Sequence, residues 1–402
     1  MLALAAQNGW KVFQLDVKSA FLNGSLQEEI FVDQPEGFAA QGQEEKVYLL
    51  KKALYGLKQA PRAWYSKIDE HLSRLGFMKS LSEATLYMKH KENDLLIVSL
   101  YVDDLLITRS NIKQIDGFKG EMMEIFEMTD LGLMTYFLGM EIKQEEHEVF
   151  ICQRKYAKKI LKKFHMEDCK AMATPMNSKE SLSKDDGADK VDENYFRSMV
   201  GCLMYLTATR PDILFAVSIL SRFMHCASEN HLKTAKRVIR YIKGTVAFGI
   251  KFTKCQNSKL LGFSDSDWGG SVDYMKSASG YCFSLGSGVF SWSSKKQETV
   301  AQSTAEAEFV AATAAANQAV WLRKLCRDLY WNQLEQTELF VDNQAAIAIS
   351  CNPVFHGRTK HFKIKYFFLR EVQKEGEIKL IYCKSEEQLA DIFTKPLPAN
   401  QF

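Results

Sequence analysis

The sequence predicts a multidomain protein of the α+β and α/β type: an antiparallel sheet with helices, a mostly helical region, and an α/β domain. Two apolar runs, Asp94–Val102 and Leu105–Thr108, are typical of strands joined by a tight turn. Residues 151 to about 255 contain amphipathic helical spacing. From about residue 256 onward, short strands precede and alternate with helical segments, which is typical of an α/β domain.

Length and composition are those of an ordinary soluble globular protein. The chain has 402 residues, 46% hydrophobic and 25% charged, which is enough for two or three domains with real cores. Nine cysteines are scattered singly, without Cys-x-x-Cys spacing or a Cys/His cluster, so a disulfide framework and a structural zinc site are not expected. Free thiols favour an intracellular location, and we find no secretory signal and no apolar run long enough to span a membrane.

The formal net charge is only +3, so any nucleic-acid contact must come from local basic segments. Two candidates are Arg154–Lys163 and Lys233–Arg240. On helices these residues could contact phosphates, or they could be solvated faces, and the sequence leaves both interpretations open.

Acidic residues stand where strands end. Asp103 and Asp104 lie at the predicted turn, and Asp16 closes the apolar run that begins at Phe13. Adjacent carboxylates repel, and a bound divalent cation such as Mg²⁺, which prefers oxygen ligands, relieves that cost. The alternative is a hairpin turn with two solvated aspartates, because turns favour Asp.

Three segments match a known family in order and spacing. Leu15–Gly24, Leu54–Tyr65 and Tyr101–Asp104 resemble the copia-type retrotransposon Pol polyprotein. The resemblance implies a reverse-transcriptase palm in which Asp16, Asp103 and Asp104 hold Mg²⁺ or Mn²⁺ for phosphoryl transfer. It also implies an RNA template, a DNA primer and dNTPs as partners, other retrotransposon proteins in an assembly, and no membrane.

The resemblance also assigns substrate-binding residues. Phe21 corresponds to an aromatic residue that excludes the ribonucleotide 2′-hydroxyl, although simple core packing is its alternative role. Tyr55, Gly56 and Lys58 fall in a segment similar to one that lines the dNTP and the template strand, where glycine allows close backbone approach.

The middle and N-terminal elements are predicted from periodicity. A helix covers Trp64–Gly76, and a strand covers Tyr136–Ile142 beyond the hairpin. Further helices are expected at Tyr156–Phe164, Ile213–Met224 and His231–Lys243, with a polar loop at 177–192. This middle region has no catalytic constellation.

The C-terminal part reads as three strands followed by helix, strand, helix, strand and helix. Its principal elements are the strands Leu260–Asp265, Glu338–Asp342 and Lys379–Cys383, a long helix Ala305–Asp328, and a last helix Glu386–Phe393. This order is expected for an RNase H-like fold.

Four acids would meet in that fold: Asp265, Glu308, Asp342 and Asp391. They could hold two Mg²⁺ or Mn²⁺ ions for cleavage of RNA in an RNA–DNA hybrid. Each one alone has an ordinary alternative as a strand-end turn or a solvated helix acid. Asp267 competes with Asp265 because it lies two residues on, and Glu306 lies about 200° from Glu308 on the helix, so only one of those two can face the site.

The resemblance implies three domains: a reverse-transcriptase palm at 1–150, a connection or thumb-like helical region at 151–255, and an RNase H-like domain at 256–402. The family's polymerase begins upstream of Met1, so we expect missing fingers and weak polymerisation. The family location implied is the cytoplasm, in virus-like particles, and the nucleus. Three functions stay open: both activities, RNase H activity with an inert palm, and a non-catalytic nucleic-acid-binding remnant.

Overall fold

The computed structural model describes residues 1–402 except 92–93, 110–112, 179–180, 257 and 352–359, and the side chains of residues 91, 113, 360–363 and 366. It divides into two compact units. The first contains residues 10–134 with residue 1 and residues 328–330, and the second contains residues 2–9, 135–327 and 331–402. The predicted domain boundaries near residues 150 and 255 stay predictions.

The elements are numbered along the chain. The α-helices are α1 (Leu2–Asn8), α2 (Ala60–Arg74), α3 (Lys113–Ile125), α4 (Arg154–Lys163), α5 (Glu193–Leu206), α6 (Leu214–Ser221), α7 (Glu229–Gly244), α8 (Thr304–Asp328), α9 (Gln344–Cys351) and α10 (Lys360–Lys374). The strands are β1 (Val12–Val17), β2 (Phe31–Asp33), β3 (Val47–Leu49), β4 (Met78–Lys79), β5 (Leu86–Lys91), β6 (Asp94–Tyr101), β7 (Asp104–Arg109), β8 (Met128–Leu133), β9 (Tyr136–Phe137), β10 (Met140–Gln144), β11 (Glu148–Cys152), β12 (Gly249–Thr253), β13 (Leu260–Ser266), β14 (Ala278–Leu285), β15 (Val289–Lys296), β16 (Thr337–Val341) and β17 (Ile378–Tyr382). Short 3₁₀ turns cover Ala20–Asn23, Pro211–Ile213, Ser385–Glu387 and Leu389–Phe393.

The first unit is built on an antiparallel sheet in the order β4-β5-β6-β7-β1-β8. Helix α2 carries a proline in its first turn, and Trp64, Ile68 and Leu72 recur every four residues on its buried face. These side chains share a core with Phe118 of α3 and with the sheet. The predicted hairpin and the predicted helix at Trp64–Gly76 are confirmed.

Helices α4 to α7 form a bundle in the second unit. Their common core includes Phe196 and Leu203 of α5, Leu220 of α6 and Ile239 of α7, all almost fully buried. Helix α7 begins at a capping box formed by Ser228 and His231. The mostly helical middle region is therefore confirmed. Its expected Ile213–Met224 helix is shorter, since a 3₁₀ turn precedes α6 and α6 ends at Ser221.

The C-terminal sheet has the order β15-β14-β13-β16-β17. Strands β13, β14 and β15 are antiparallel, whereas β16 pairs in parallel with β13 and β17 pairs in parallel with β16. The 25-residue helix α8 shares a core with this sheet, in which Phe283, Phe309 and Leu339 are fully buried. This is the strand and helix order expected for the RNase H-like fold, so the predicted fold class is confirmed.

Two element predictions were wrong in detail. The predicted strand Tyr136–Ile142 is split into β9 and β10, because Leu138 and Gly139 turn the chain with positive φ angles of 46° and 81°. The predicted helix Glu386–Phe393 is two 3₁₀ turns instead. Between them Gln388 is extended (ψ 97°), and its side chain accepts a hydrogen bond from the amide of Ala390.

In the part of the chain that the structure describes, none of the helices has both the length and the apolar character needed to cross a membrane.

Candidate functional site

Three carboxylates meet at one edge of the C-terminal sheet. Asp265 lies on β13 and Asp342 directly follows the parallel neighbour β16, so both strands deliver their acids to the same edge. Asp391 arrives on the 3₁₀ turn after β17. The Gln388 side chain fixes this turn by donating to the carbonyl oxygen of Ser264, 3.0 Å away. One carboxylate oxygen from each aspartate lies within 4.8 Å of the others.

The fourth predicted acid, Glu308, is buried in the second turn of α8 beside this cluster. Its Oε1 accepts a hydrogen bond from the amide of Ser266, 3.2 Å away. Its buried Oε2 has no hydrogen-bond partner among the described residues. Burial first, and then the charges of Asp265 and Asp342, raise the pKa of Glu308.

The pKa values of two further acids, Asp265 and Asp391, are also raised. Burial raises the pKa of Asp265, against the opposing effects of Lys395 and Thr394. Burial and the Asp265 charge raise the pKa of Asp391 as well. Buried carboxylates that repel one another, with an unpartnered oxygen among them, fit the ligand set of a divalent cation, and hard oxygen donors suit Mg²⁺ or Mn²⁺.

Residues that the sequence analysis did not assign complete the surroundings. The ammonium of Lys395 lies 2.9 Å from Asp391 Oδ1 and 3.6 Å from Asp265 Oδ2. The Thr394 hydroxyl donates to Asp265 Oδ2, and the Ser385 hydroxyl donates to Asp342 Oδ2 at 2.9 Å. The four-residue spacing from Asp391 to Lys395 was a readable signal for one of these contacts.

The two competing acids have other partners. Asp267 accepts a hydrogen bond from the amide of Ala278, and burial raises its pKa to about 6. Glu306 accepts from the amide of Gln302, 2.9 Å away, and so caps the loop before α8. Neither belongs to the three-carboxylate group found among the described residues; Glu308 is outside that group too, but it differs in its buried, unpartnered Oε2.

The acids of the first unit occupy the β1–β7 pairing. Asp16 is the direct cross-strand partner of Asp104, and the amide of Val17 donates to the carbonyl oxygen of Asp103, 2.8 Å away. The Gln14 amide donates to Asp104 Oδ1 at 2.7 Å. Burial raises the pKa of Asp104; the Gln14 hydrogen bond opposes this shift, and the charges of Asp103 and Asp16 add to it.

These three aspartates are neighbours, but they are not arranged as tightly as the C-terminal acids. Among the described residues, one oxygen from each of the three C-terminal aspartates lies within 4.8 Å of the others, whereas Asp16, Asp103 and Asp104 form no such group. Metal binding at the first-unit acids therefore stays a prediction.

A hydrogen bond from Trp64 stabilises the hairpin turn that carries Asp103. The indole Nε1 of buried Trp64 donates to the carbonyl oxygen of Val102, 2.6 Å away. Val102 has a φ of 55°, a left-handed conformation that is costly for a β-branched residue. The buried tryptophan thus compensates for a strained backbone at the acidic turn.

The predicted substrate-binding residues lie around the 3₁₀ turn that follows β1. The rings of Phe21 and Tyr55 pack against each other with centroids 4.8 Å apart, and Tyr55 is exposed. Gly56 has a φ of 94°, which favours glycine, and open space surrounds it. Lys58 is exposed. Phe21 is also partly buried against the hydrophobic core of the first unit, so its alternative role in core packing stays open.

A basic groove of about 830 Å³ runs along α7 in the second unit. Its lining includes Lys233, Lys236, Arg237 and Arg240, with Glu229 as the acidic residue among the described lining. Arg237 donates to the Thr174 hydroxyl, while its buried Nε has no acceptor among the described residues. The segment Lys233–Arg240 therefore lines a concave basic surface on which Lys233 and Lys236 are exposed, and its contact with phosphates stays a prediction.

Comparison with known proteins identifies relatives over the whole chain. The family described as "Reverse transcriptase (RNA-dependent DNA polymerase)" matches residues 1–178. The Pol polyprotein from transposon TNT 1-94 of Nicotiana tabacum is 39% identical over 100% of this chain and 31% of its own length, and that from transposon RE1 of Arabidopsis thaliana is 37% identical over 100% and 27%. The chain thus spans about a third of the length of these relatives. A putative transposon Ty5-1 protein of Saccharomyces cerevisiae is 32% identical over 74% of this chain and 98% of its own length.

Solved structures agree on the fold. The foamy viral protease-reverse transcriptase in complex with dsDNA matches 95% of this chain and 70% of its own, with a TM-score of 0.51 and 12% identity. The same viral protein in complex with an RNA/DNA hybrid matches 96% of this chain and 45% of its own, with a TM-score of 0.50 and 12% identity. Since transposon Pol proteins match it along all of its residues and it covers 98% of the Ty5-1 protein, the chain belongs to the copia-type retrotransposon Pol family.

Proposed function

We propose that this chain acts as the reverse transcriptase and RNase H portion of a retrotransposon Pol protein. It would cleave the RNA strand of an RNA–DNA hybrid at the C-terminal acids and extend a DNA primer on an RNA template at the first-unit acids. The observation that carries the proposal is that one oxygen from each of Asp265, Asp342 and Asp391 lies within 4.8 Å of the others, at the ends of β13 and β16 and on the final 3₁₀ turn.

For hydrolysis, the residues that would hold divalent cations are Asp265, Glu308, Asp342 and Asp391. When bound there, such cations lower the pKa of a water molecule and stabilise the negative charge on the leaving oxygen. The chain itself keeps the carboxylates oriented. Ser385 fixes one oxygen of Asp342, and the Ser266 amide fixes one oxygen of Glu308, which leaves the second oxygen of each carboxylate for a ligand.

For DNA synthesis, Asp16 and Asp104 would hold the cations from facing strands, with Asp103 beside them at the turn. The Gln14 amide orients Asp104, and Trp64 holds the turn in place. Phe21 and Tyr55 form an aromatic pair at the 3₁₀ turn that follows β1, consistent with a role in contacting an incoming dNTP.

The partner of both sites would be a nucleic-acid duplex. The foamy viral structures with a similar fold are complexes with dsDNA and with an RNA/DNA hybrid. The basic groove of α7 supports the same partner, because concave clusters of Lys and Arg attract a phosphate backbone.

A second candidate is RNase H activity with an inert palm. The tighter gathering of acids in the C-terminal site than in the first unit favours it. The two candidates predict different results with a primer and template.

The deciding experiment uses the purified 402-residue chain. One arm contains an RNA–DNA hybrid labelled on the RNA strand, and the other contains a DNA primer on an RNA template with dNTPs; each is run with Mg²⁺ and with EDTA. Mg²⁺-dependent RNA cleavage together with primer extension supports the full proposal, and cleavage alone supports the second candidate. Absence of both reactions would contradict both and favour a non-catalytic remnant.

A further inference from the structure

A positively charged side chain lies inside the C-terminal carboxylate cluster. The Lys395 ammonium is 2.9 Å from Asp391 Oδ1 and 3.6 Å from Asp265 Oδ2. Asp265 is almost fully buried, at 1% exposure, whereas the Lys395 side chain is 38% exposed. The ammonium thus reaches from the surface side towards the oxygens that would ligate a cation.

The electrostatics keep this lysine charged. A lysine ammonium is charged at neutral pH, and here oxygens of two carboxylates lie within 3.6 Å of it. A charged ammonium offsets part of the repulsion between buried carboxylates.

We propose that Lys395 is the built-in counter-ion of the cluster, that it competes with a divalent cation for Asp265 and Asp391, and that it withdraws when the cation binds. The inference rests on the proposed function in one respect, which is that this cluster binds a divalent cation. The physical reason is that an ammonium and a divalent cation cannot share the same two oxygens without strong like-charge repulsion.

A neighbouring cavity can accommodate the displaced Lys395 ammonium. A cavity of about 250 Å³ adjoins the cluster, and Lys395 and Thr394 form part of its wall. The charged side chains that line it are the acids Asp267 and Asp273 and the cations Arg222 and Lys184. The Lys184 ammonium is already bonded to the hydroxyl of Tyr274.

Asp267 is the acceptor that this geometry favours. Asp267 follows Asp265 by two residues and lines the cavity together with Lys395. It also interacts electrostatically with the Lys395 ammonium. When a cation binds, the Lys395 ammonium would leave Asp265 and Asp391 and form an ion pair with Asp267. Asp267 would then stabilise the displaced lysine and would not itself ligate the metal.

The test measures metal binding rather than catalysis. Isothermal titration of the full chain with Mg²⁺, and separately with Mn²⁺, compares the parent with Lys395→Met, Lys395→Arg and Lys324→Met. Lys324 is an exposed lysine of α8 and serves as a control for the change in net charge. We expect Lys395→Met to lower the metal Kd by about five-fold or more, a typical size for coupling between competing ligands, and the other two variants to stay within about two-fold of the parent. An unchanged or raised Kd in Lys395→Met would overturn the proposal.

A second experiment measures the thermal stability of the variant and the parent. In EDTA, Lys395→Met should unfold at a lower temperature than the parent, because the carboxylates lose their counter-ion, and added Mg²⁺ should restore more stability to the variant than to the parent. If Lys395→Met does not fold, Lys395→Gln takes its place in both measurements. Equal unfolding temperatures in EDTA together with equal metal stabilisation would contradict the counter-ion role.

The outcome is separable from that of the proposed function. Tighter metal binding by Lys395→Met in a chain that cleaves no hybrid would support the counter-ion role and contradict the hydrolase proposal. If the parent cleaves the hybrid but Lys395→Met leaves the metal Kd unchanged, the hydrolase proposal is supported and the counter-ion role is contradicted.

Discussion

Asp16 lies directly opposite Asp104 in the antiparallel pairing of β1 and β7, so the two carboxylates project from the same face of the sheet. Residues that face one another in this way are close neighbours, and here both are acidic. Burial makes the arrangement costly for Asp104, whose pKa is raised, and Gln14 offsets part of the cost through its hydrogen bond. An acidic pair maintained at such a cost is consistent with a cation-dependent role.

Replacement of Asp104 by Asn should therefore suppress primer extension. Loss of even an outer partner of a metal ligand typically costs 10–100-fold, so we expect a fall of roughly 100-fold or more when a ligand itself changes. The matched control is Asp116→Asn, which makes the same change at an exposed position of α3. Primer extension on an RNA template measures the effect, and equal rates for parent and Asp104→Asn would contradict the palm assignment.

The hydrogen bond from Trp64 to Val102 should hold the acidic turn closed. Trp64→Phe keeps most of the apolar bulk but removes the indole donor, and loss of one such hydrogen bond costs roughly 0.5–1.5 kcal/mol. Hydrogen–deuterium exchange should accelerate across residues 101–105. Trp268→Phe removes a similar bond at a more exposed indole and should leave that segment unchanged. Unaltered exchange in Trp64→Phe would show that the turn does not depend on this bond.

The sequence located the acids better than it located their partners. Asp16, Asp265 and Asp342 close apolar runs, and an apolar run with a strand period shows where its strand ends. The partners depend on long-range packing, as in the contact of Lys395 with Asp265, which are 130 residues apart in the chain.

The segment that carries Asp391 shows that residue spacing alone does not determine the type of secondary structure. Its spacing suits a helix, yet Gln388 turns its side chain to cap Ala390 and to reach the carbonyl oxygen of Ser264 on β13. Such competition between a side chain and the helical backbone is decided by the tertiary partner. Local sequence therefore predicted that Asp391 would be near the site, but not the 3₁₀ turn that carries it.

The basic groove should bind duplex through its phosphates. Removal of one lysine that binds a phosphate reduces the slope of log K against log salt by about one, so Lys233→Gln with Lys236→Gln should lower it by about two. The control pair Lys324→Gln with Lys374→Gln removes the same charge from exposed positions of α8 and α10, outside the groove lining and outside both basic segments. Binding of an RNA–DNA hybrid is measured by fluorescence anisotropy across salt concentrations. Equal slopes for both pairs and the parent would favour solvated faces.

Stability of the helical bundle should fall as pH falls. His231 is buried, its Nδ1 accepts from the amide of Ser228 at 3.0 Å, and its ring stacks on Phe223. Burial lowers its pKa below the ordinary value of 6.5, partly opposed by the charge of Asp186.

The folded state therefore binds fewer protons than the unfolded state below about pH 6.5, and stability decreases as pH drops through that range. Thermal unfolding between pH 7.5 and pH 5 checks this prediction, since these values bracket the ordinary histidine range. His231→Gln should be less stable than the parent at pH 7.5 but should lose less on acidification. An equal pH dependence in the two proteins would rule out His231 as the cause.

The central claim is that the C-terminal carboxylates form a cation-dependent hydrolytic site, and Asp342→Asn tests it most directly. The substitution keeps the shape and the Ser385 partner within reach but removes a charge from the cluster. Glu306→Gln is the matched control, since it removes an acid charge nearby and keeps an acceptor for the amide of Gln302. Both variants and the parent are assayed on a labelled RNA–DNA hybrid across Mg²⁺ concentrations. We expect Asp342→Asn to lose cleavage by roughly 100-fold or more and to need more Mg²⁺, while Glu306→Gln cleaves like the parent. Cleavage by Asp342→Asn at the parent's rate and Mg²⁺ requirement would contradict the account.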